Sequence, residues 1–346
     1  IGLYAFLDGP DHATIQKFLD GKTPCDELLK LAVSLPNLCS RQWVWQQYDH
    51  MVQSNTMVGP GSDAAVIRVK GTKKALTMTL DGPGFRVAQN PREGAKLMVA
   101  EACRNIACSG GRPMAATNCL NFGNPEHPEV MWQFSEVVDG MTEACMAFET
   151  PITGGNVSFY NETFERDIYP TPVLGVVGMI DNLAHVTSSD LKDEGDSIVL
   201  IETPTRLVGR VDLNEERALQ SFVSDAIHAG LVKSAHDISD GGIAVALSEM
   251  CYSTLNRPAM GAMAKIPQYM DPCKDLFGEY SSRILLTTTH ASDLVRRAER
   301  SALRCTEIGR VGGSRLILQH AGQSVVDVAV EELEGAWRRT LPKLLS

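Results

Sequence analysis

Apolar residues recur along the chain at two different spacings, which predict strands and helices in alternation. Positions 64–69 and 75–80 are short apolar runs on either side of a polar turn, a pattern typical of paired strands. The same pattern predicts further strands at 113–117, just before Gly154, and at 173–180, 197–202, 284–288 and 306–311.

Helical spacing is clearest after Asn90, a natural N-cap that Pro91 and Glu93 follow. The predicted helix ends at Gly110, and its apolar positions are Ala95, Val99, Ala102 and Ile106. A second helix begins near Pro128, with one apolar face made by Val130, Phe134, Val137, Met141, Ala144 and Phe148. Further helices are predicted from Asp11 to Leu19 and at 24–33, 214–229, 291–302 and 330–339.

The order of these elements predicts two domains after a helical connector at 1–45. Residues 46–185 form an α+β domain whose sheet is covered on one face by helices, and residues 186–346 form an α/β domain. The length of 346 residues suits two domains better than one. Because the chain begins with Ile1, we interpret the connector as the end of a preceding segment.

The charge of the chain limits its partners. A net charge of −10 without a large Lys/Arg cluster argues against nucleic acid as the main partner, because binding the phosphate backbone needs a basic face. The apolar runs are too short to span a membrane. Nine cysteines without a CxxC pair favour reduced thiols in the cytoplasm over disulfides or zinc ligands.

Residues 116–125 read ATNCLNFGNP and contain three asparagines, at Asn118, Asn121 and Asn124. Asparagine amides offer both donors and acceptors, so they could bind a purine edge or orient a phosphate. Because Asn and Gly are also common in turns, an ordinary loop after the strand is the alternative.

Residues 153–161 read TGGNVSFYN. Two glycines would let a phosphate approach the backbone, and Asn156 and Ser158 carry neutral oxygens of a kind that Mg²⁺ accepts. The alternative is a Gly-Gly turn. The segment matches neither GxxxxGK[ST] nor GxGxxG.

Residues 235–243 read AHDISDGGI, in which Asp237 and Asp240 could hold Mg²⁺ or a hydroxyl. Asp240 could equally be the N-cap of the following helix. Adjacency alone does not make His236 and Asp237 a catalytic dyad. We interpret His50 and His127 as surface histidines, and no GxSxG or GxCxG elbow indicates a nucleophile.

Taken together, the segments QYDHMV, GPGSDAAV, NCLNFGNP, GGNVSFYNE, YPTPVLGVVG and AHDISDGG resemble phosphoribosylformylglycinamidine synthases of the small bacterial type. The likeness runs from about Trp43 to the C-terminus and fits the second half of those enzymes. They belong to the aminoimidazole ribonucleotide (AIR) synthetase-like, or PurM-like, superfamily.

The resemblance implies a fold and an activity. The fold would be a PurM-like unit, an ATP-binding α+β domain followed by an α/β domain, which pairs with a second such unit around a pseudo-two-fold axis. The activity would be the ATP- and Mg²⁺-dependent conversion of formylglycinamide ribonucleotide and glutamine-derived ammonia into formylglycinamidine ribonucleotide through an iminophosphate. The partners would be the missing N-terminal half, a glutaminase subunit and a small accessory subunit.

Motif by motif, the resemblance implies that Asn118 and Gly155 contact ATP, that Asn156 ligates Mg²⁺ and that Ser158 meets the substrate. It implies no catalytic residue in this half, since the family's catalytic histidines and acidic metal ligands lie in the other one. Asp81-Gly82 and Glu279-Tyr280-Ser281 stand where the catalytic half has binding groups, but their surroundings are degenerate. Residues 203–211 are also shorter than the family's glycine-rich loop.

Two alternatives stay open at this point. A complete single-unit relative, active as a homodimer, would need its own acidic metal ligands, and Asp63, Asp81 and Asp237 do not form a dense cluster in the sequence. A non-catalytic nucleotide-binding module would bind ATP without turnover. Pairing of two copies of this chain is compatible with either.

Overall fold

The computed structural model describes Lys17 and residues 21–164, 166–254 and 257–346. The predicted helix from Asp11 to Leu19 lies outside these residues, except for Lys17. Two sheets organise the rest of the chain, one drawn from residues 56–180 and the other from residues 197–329.

The first sheet has six strands in the order β1-β2-β3-β8-β4-β5. The strands are β1 (Thr56–Val58), β2 (Ala65–Arg68), β3 (Ala75–Asp81), β4 (Arg112–Asn121), β5 (Ile152–Ser158) and β8 (Thr171–Ile180). Between β5 and β8, a separate two-stranded hairpin is formed by β6 (Glu162–Thr163) and β7 (Arg166–Asp167). Strand β5 pairs with β4 in parallel and forms one edge of the sheet.

Helices cover one face of this sheet, as predicted. Short α1 (Cys25–Val33), α2 (Gln42–Trp45) and α3 (Gly84–Gln89) precede the long α4 (Pro91–Cys108) and α5 (Pro128–Ala147). The Asn90 side chain accepts a hydrogen bond from the Glu93 N–H, which confirms the predicted cap of α4. The core between helices and sheet includes Met98, Ile106, Phe122, Val137 and Leu174.

The second sheet has seven strands in the order β10-β12-β9-β13-β11-β14-β15. They are β9 (Ser197–Glu202), β10 (Ser234–Asp237), β11 (Ala262–Lys265), β12 (Arg283–Thr288), β13 (Arg304–Val311), β14 (Arg315–His320) and β15 (Gln323–Ala329). Strand β9 is buried along its whole length, because helices pack on both faces of this sheet.

The helices of this second part are α6 (Leu213–His228), α7 (Gly242–Tyr252), α8 (Pro272–Phe277), α9 (Ala291–Arg300) and α10 (Val330–Leu345). Helix α1 packs into the same core as α7 and α10, through Leu28, Leu29 and Val33. Part of the predicted connector therefore lies against the second sheet. The division at 46 and 186 stays a prediction.

The structure corrects three local predictions. Strand β4 continues to Asn121, so Asn118 and Asn121 lie in a strand and only Asn124 lies in the following loop. Gly154 and Gly155 also lie within a strand and not in a turn. Asp240 is not the cap of α7, because the residue before that helix is Gly241, whose φ of 76° suits glycine.

Candidate functional site

The parallel pairing of β4 and β5 brings the two asparagine- and glycine-rich motifs together. Asn118 is opposite Gly155, and Asn121 is opposite Ser158. The four predicted site residues therefore lie on neighbouring positions of two adjacent strands. Because β5 is an edge strand, half of its backbone N–H and C=O groups point away from the sheet and are free to meet a ligand.

The register places these residues on opposite faces of the sheet. Asn118 shares a face with Ala116 and Leu120, which are buried under the helices. Gly155 pairs with Asn118 and so belongs to this helix-covered face. Asn156 and Ser158 alternate with it and belong to the open face. The predicted nucleotide contacts thus lie on the helix-covered face of the sheet, and the predicted metal and substrate contacts lie on its open face. Both sets are at the sheet edge that β5 forms.

Gly155 is fixed by a close approach. A Cβ at this position would lie 1.9 Å from Asn118 Oδ1 and 2.5 Å from the Asn118 carbonyl oxygen. A Cβ on the neighbouring Gly154 would have nothing within 4 Å. Steric contact with Asn118 therefore requires glycine at 155, whereas the space around Gly154 is open to a ligand.

Ser158 is held by the turn that follows β4. Its carbonyl accepts a hydrogen bond from the Phe122 N–H at 2.9 Å, and the Asn161 amide donates to the Ser158 carbonyl at 2.9 Å and to its Oγ at 3.2 Å. The Asn161 amide also donates to the Phe122 carbonyl at 2.9 Å. The hydroxyl predicted to meet the substrate is therefore positioned by Phe122 and Asn161.

One carboxylate fastens this turn from outside. Asp167 on β7 accepts a hydrogen bond from the Asn124 N–H at 2.6 Å, and its other oxygen is 2.8 Å from His127 Nδ1. This hydrogen bond with Asp167 raises the pKa of His127 above its usual range. The Asn124 and His127 hydrogen bonds lower the pKa of Asp167. His127 is half-exposed, as predicted, but it is part of an ion pair.

A second group of charged residues lies between the two sheets. Arg86 on α3 is 2.8 Å from Asp240 and 3.2 Å from Glu279, with Glu101 at 4.0 Å. Burial raises the pKa of Asp81 to about 7, against the opposing attraction of Arg86. Burial, with the charges of Asp81 and Asp237, also raises the pKa of Glu101 well above its ordinary value.

The second arginine of this region, Arg104 on α4, is buried against Asp237 and lies 3.0 Å from Glu216. Both aspartates of the AHDISDGG motif are thus paired with arginines. His236 does not pair with the side chain of Asp237 but lies 2.9 Å from Asp63 and 3.1 Å from Glu249. These ion pairs and hydrogen bonds connect the two parts of the chain. Asp237 and Asp240 are both paired with guanidinium groups.

The donors around Asn156 fit Mg²⁺ only in part. The amide oxygen of Asn156 and the hydroxyl of Ser158 are hard ligands of the type that Mg²⁺ accepts. Among the residues described, however, no group of three or more His, Cys, Asp or Glu side chains could hold a metal ion. A magnesium ion at this edge would need carboxylates from elsewhere, which is the arrangement that the sequence resemblance implies.

Sequence reasoning missed Asp167, Arg86 and Arg104. Arg86 and Glu279 are 193 positions apart, and Arg104 and Asp237 are 133 apart, so no local spacing connects them. Residue type gave a signal for Arg104, since a charged residue within an apolar helical pattern needs a partner when it is buried. Arg104 carries that signal, because it lies two residues after Ala102 on the predicted helix.

Comparison with known proteins identifies the two halves of this architecture. Residues 61–180 match the AIR synthase related protein N-terminal domain, and residues 174–320 match the AIR synthase related protein C-terminal domain. The chain therefore belongs to the AIR synthase related family, with its PurM-like fold.

Within that family the chain is a homologue of phosphoribosylformylglycinamidine synthase. It is 42% identical over 333 residues to phosphoribosylformylglycinamidine synthase subunit PurL of Moorella thermoacetica, an alignment that covers 91% of this chain and 45% of the relative. The chain thus spans about half the length of that relative.

Solved structures share the fold. Thermotoga maritima PurL complexed with ATP superposes with a TM-score of 0.73 at 19% identity, covering 92% of this chain and 54% of that one. The same protein complexed with FGAR gives a TM-score of 0.70 at 16% identity, covering 94% of this chain and 54% of that one.

No helix among the described residues is both long enough and apolar enough to cross a membrane.

Proposed function

We propose that this chain acts as the C-terminal half of a phosphoribosylformylglycinamidine synthase and is incomplete alone. The complete enzyme would use ATP to convert formylglycinamide ribonucleotide and glutamine-derived ammonia into formylglycinamidine ribonucleotide. The observation that carries the proposal is the 42% identity to PurL over nearly all of this chain but less than half of the relative.

The residues of β4 and β5 would bind and orient the reactants. Asn118 and Gly155 would contact ATP and Ser158 would meet the substrate, with both ligands at the free edge that β5 forms. Asn156 would give Mg²⁺ one neutral oxygen ligand, and the ion would neutralise phosphate charge during transfer. The support for these roles is the register of the two strands and the steric requirement for glycine at 155.

In this reaction the substrate amide oxygen takes the γ-phosphoryl group and ADP leaves. Ammonia then adds to the amide carbon, phosphate departs and the amidine remains. This half would contribute binding and positioning, which account for a large share of such catalysis. Asp237 and Asp240 are committed to Arg104 and Arg86, so we propose no acid or base among them.

The open face of the first sheet supports a partner half. It carries apolar side chains that face outward, among them Leu80 with 75% exposure and Val177 with 37% exposure. An exposed apolar sheet face typically marks an interaction surface. We propose that the equivalent sheet of the N-terminal half covers it, with a second copy of this chain as the alternative occupant.

The remaining partners follow from the same proposal. A glutaminase subunit would supply ammonia, and a small accessory subunit would join the assembly. A cytoplasmic location is supported by the cysteines, since each one that the structure describes is a free thiol.

The test is reconstitution. This chain is mixed with a separately produced N-terminal half, MgATP, formylglycinamide ribonucleotide and ammonium chloride, and amidine formation is followed. We expect turnover only when both halves are mixed, and we expect no turnover when this chain carries Asn156→Ala. Asn214→Ala, at an exposed position in the first turn of α6, is the control and should keep full activity. Turnover by this chain alone with another acceptor would contradict the proposal.

A further inference from the structure

The turn after β4 is held by a side chain that no role in the proposed reaction explains. Asp167 stands on the short hairpin β6–β7, outside the six-stranded sheet, and still reaches the loop that begins at Phe122. Its carboxylate is about three-quarters buried there. Asp167 therefore links the β6–β7 hairpin to the loop that follows β4, next to the predicted ligand site.

The contact is tight and specific. A Cβ on Gly123 would lie 2.2 Å from Asp167 Oδ1, so the backbone of the turn rests directly on the carboxylate. One carboxylate oxygen accepts from the Asn124 N–H and the other bonds His127. Both oxygens are thus engaged with the segment that enters α5.

From this turn, two further sets of hydrogen bonds lead to β5 and the chain beyond it. The Phe122 N–H donates to Ser158, and the Phe122 carbonyl accepts from Asn161. The Gly123 carbonyl accepts from the Tyr160 N–H at 2.8 Å. A displacement of the turn would therefore move Ser158 and the residues that follow it.

We propose that Asp167 is a positioning residue for the substrate side of this site, acting through the Phe122–Asn124 turn on Ser158. The proposal rests on the role of Ser158 given under Proposed function. Asp167 itself would touch neither nucleotide nor substrate. Its carboxylate would hold the turn in place through the Asn124 N–H and His127. Because His127 titrates, the strength of this contact would depend on pH.

The pH dependence follows from the groups around His127. The carboxylates that face it come from β7, α5 and β6 and are Asp167, Glu129 and Glu162. Together they raise the pKa of His127 above 6.5 in the folded chain. The ion pair with Asp167 is therefore present between the lowered pKa of Asp167 and the raised pKa of His127, and it is lost as the pH rises through the pKa of His127.

The first measurement uses the reconstituted enzyme. We expect Asp167→Ala to raise the KM for formylglycinamide ribonucleotide by about tenfold, as for loss of hydrogen bonds to a charged group, with little change in kcat. The wild-type KM should rise as the pH increases above 6.5. His127→Asn keeps a donor near the Nδ1 position without titrating, so it should flatten that profile. Asp181→Ala, exposed beyond β8, is the control.

The second measurement does not need activity. Hydrogen-exchange protection factors, which correct for the intrinsic effect of pH, are taken for the Asn124 and Tyr160 amides in this chain. They should fall in Asp167→Ala and, in the wild type, fall as the pH rises above 6.5. Unchanged protection and unchanged KM in Asp167→Ala would overturn the proposal. A variant that loses both kcat and thermal stability but keeps the wild-type KM would also overturn it.

The two measurements separate this proposal from the proposed function. If the wild-type mixture is inactive but amide protection falls in Asp167→Ala and at higher pH, the proposed reaction fails. The contact between Asp167 and the turn is then still supported. If the mixture is active and protection does not respond, the positioning role of Asp167 fails by itself.

Discussion

Two adjacent glycines on β5 face different surroundings, and this difference can be measured. Gly155→Ala would force a methyl group into Asn118, whereas Gly154→Ala would place one in open space. We expect Gly155→Ala to lower the free energy of unfolding by about 1–3 kcal/mol, the usual cost of overpacking. It should also weaken ATP binding, because Asn118 must move.

Gly154→Ala is the matched control for that measurement. Both variants add one methyl group to the same strand, but Gly155 has a φ of 154°, so Gly155→Ala adds backbone strain to the contact with Asn118. Urea unfolding and calorimetric titration with MgATP would compare the two. Equal stability of the two variants would contradict the steric role of the Asn118 contact.

At the level of elements, Arg104 links helix α4 to both β10 and α6. It is 3% exposed and lies among Asp237 and Glu216. Arg104→Met keeps most of the volume but leaves two buried carboxylates without their cation. We expect a loss of about 3–5 kcal/mol in the free energy of unfolding, the range found when one partner of a buried pair is removed.

An exposed pair on α9 is the control for this effect. Arg296→Met removes the cation beside Asp293, where both side chains are largely in solvent, and should change stability by less than about 1 kcal/mol. Chemical denaturation of both variants at one pH gives the comparison. A small effect of Arg104→Met would mean that Asp237 and Glu216 are protonated or reached by water once the cation is removed.

The elements also show where sequence reasoning succeeded. Helices α4 and α5 were predicted because their signals are local, namely the Asn90 cap, proline in the first turn and an apolar face. Strands β11, β14 and β15 and helix α8 were not predicted. Two of these elements, β11 and α8, are only four and six residues long, too short for a periodic pattern to stand out.

The candidate site divides in the same way. The motifs revealed Asn118, Gly155, Asn156 and Ser158, which are close in sequence to one another within each strand. Their distribution over two faces depends on the register of β4 with β5, which no single motif contains. Asp167 was missed because its partners are about 40 positions away and it follows an ordinary polar stretch.

For the whole molecule, the open face of the first sheet decides between a half-enzyme and a self-sufficient protein. Leu80→Asp introduces a charge at the centre of that face, at a side chain so exposed that folding should change little. Burying the charge against an apolar partner would be costly, so association with the N-terminal half should weaken by at least about tenfold.

Sedimentation velocity on mixtures of the two halves measures this association, and thermal unfolding checks that the variant is folded. Leu344→Asp, at a leucine near the end of α10 that is 63% exposed, should associate like the wild type. If Leu80→Asp also associates like the wild type, the partner docks elsewhere. If Leu80→Asp instead disrupts a dimer of this chain alone, a second copy covers the face, and the single-unit homodimer becomes the better description of the protein.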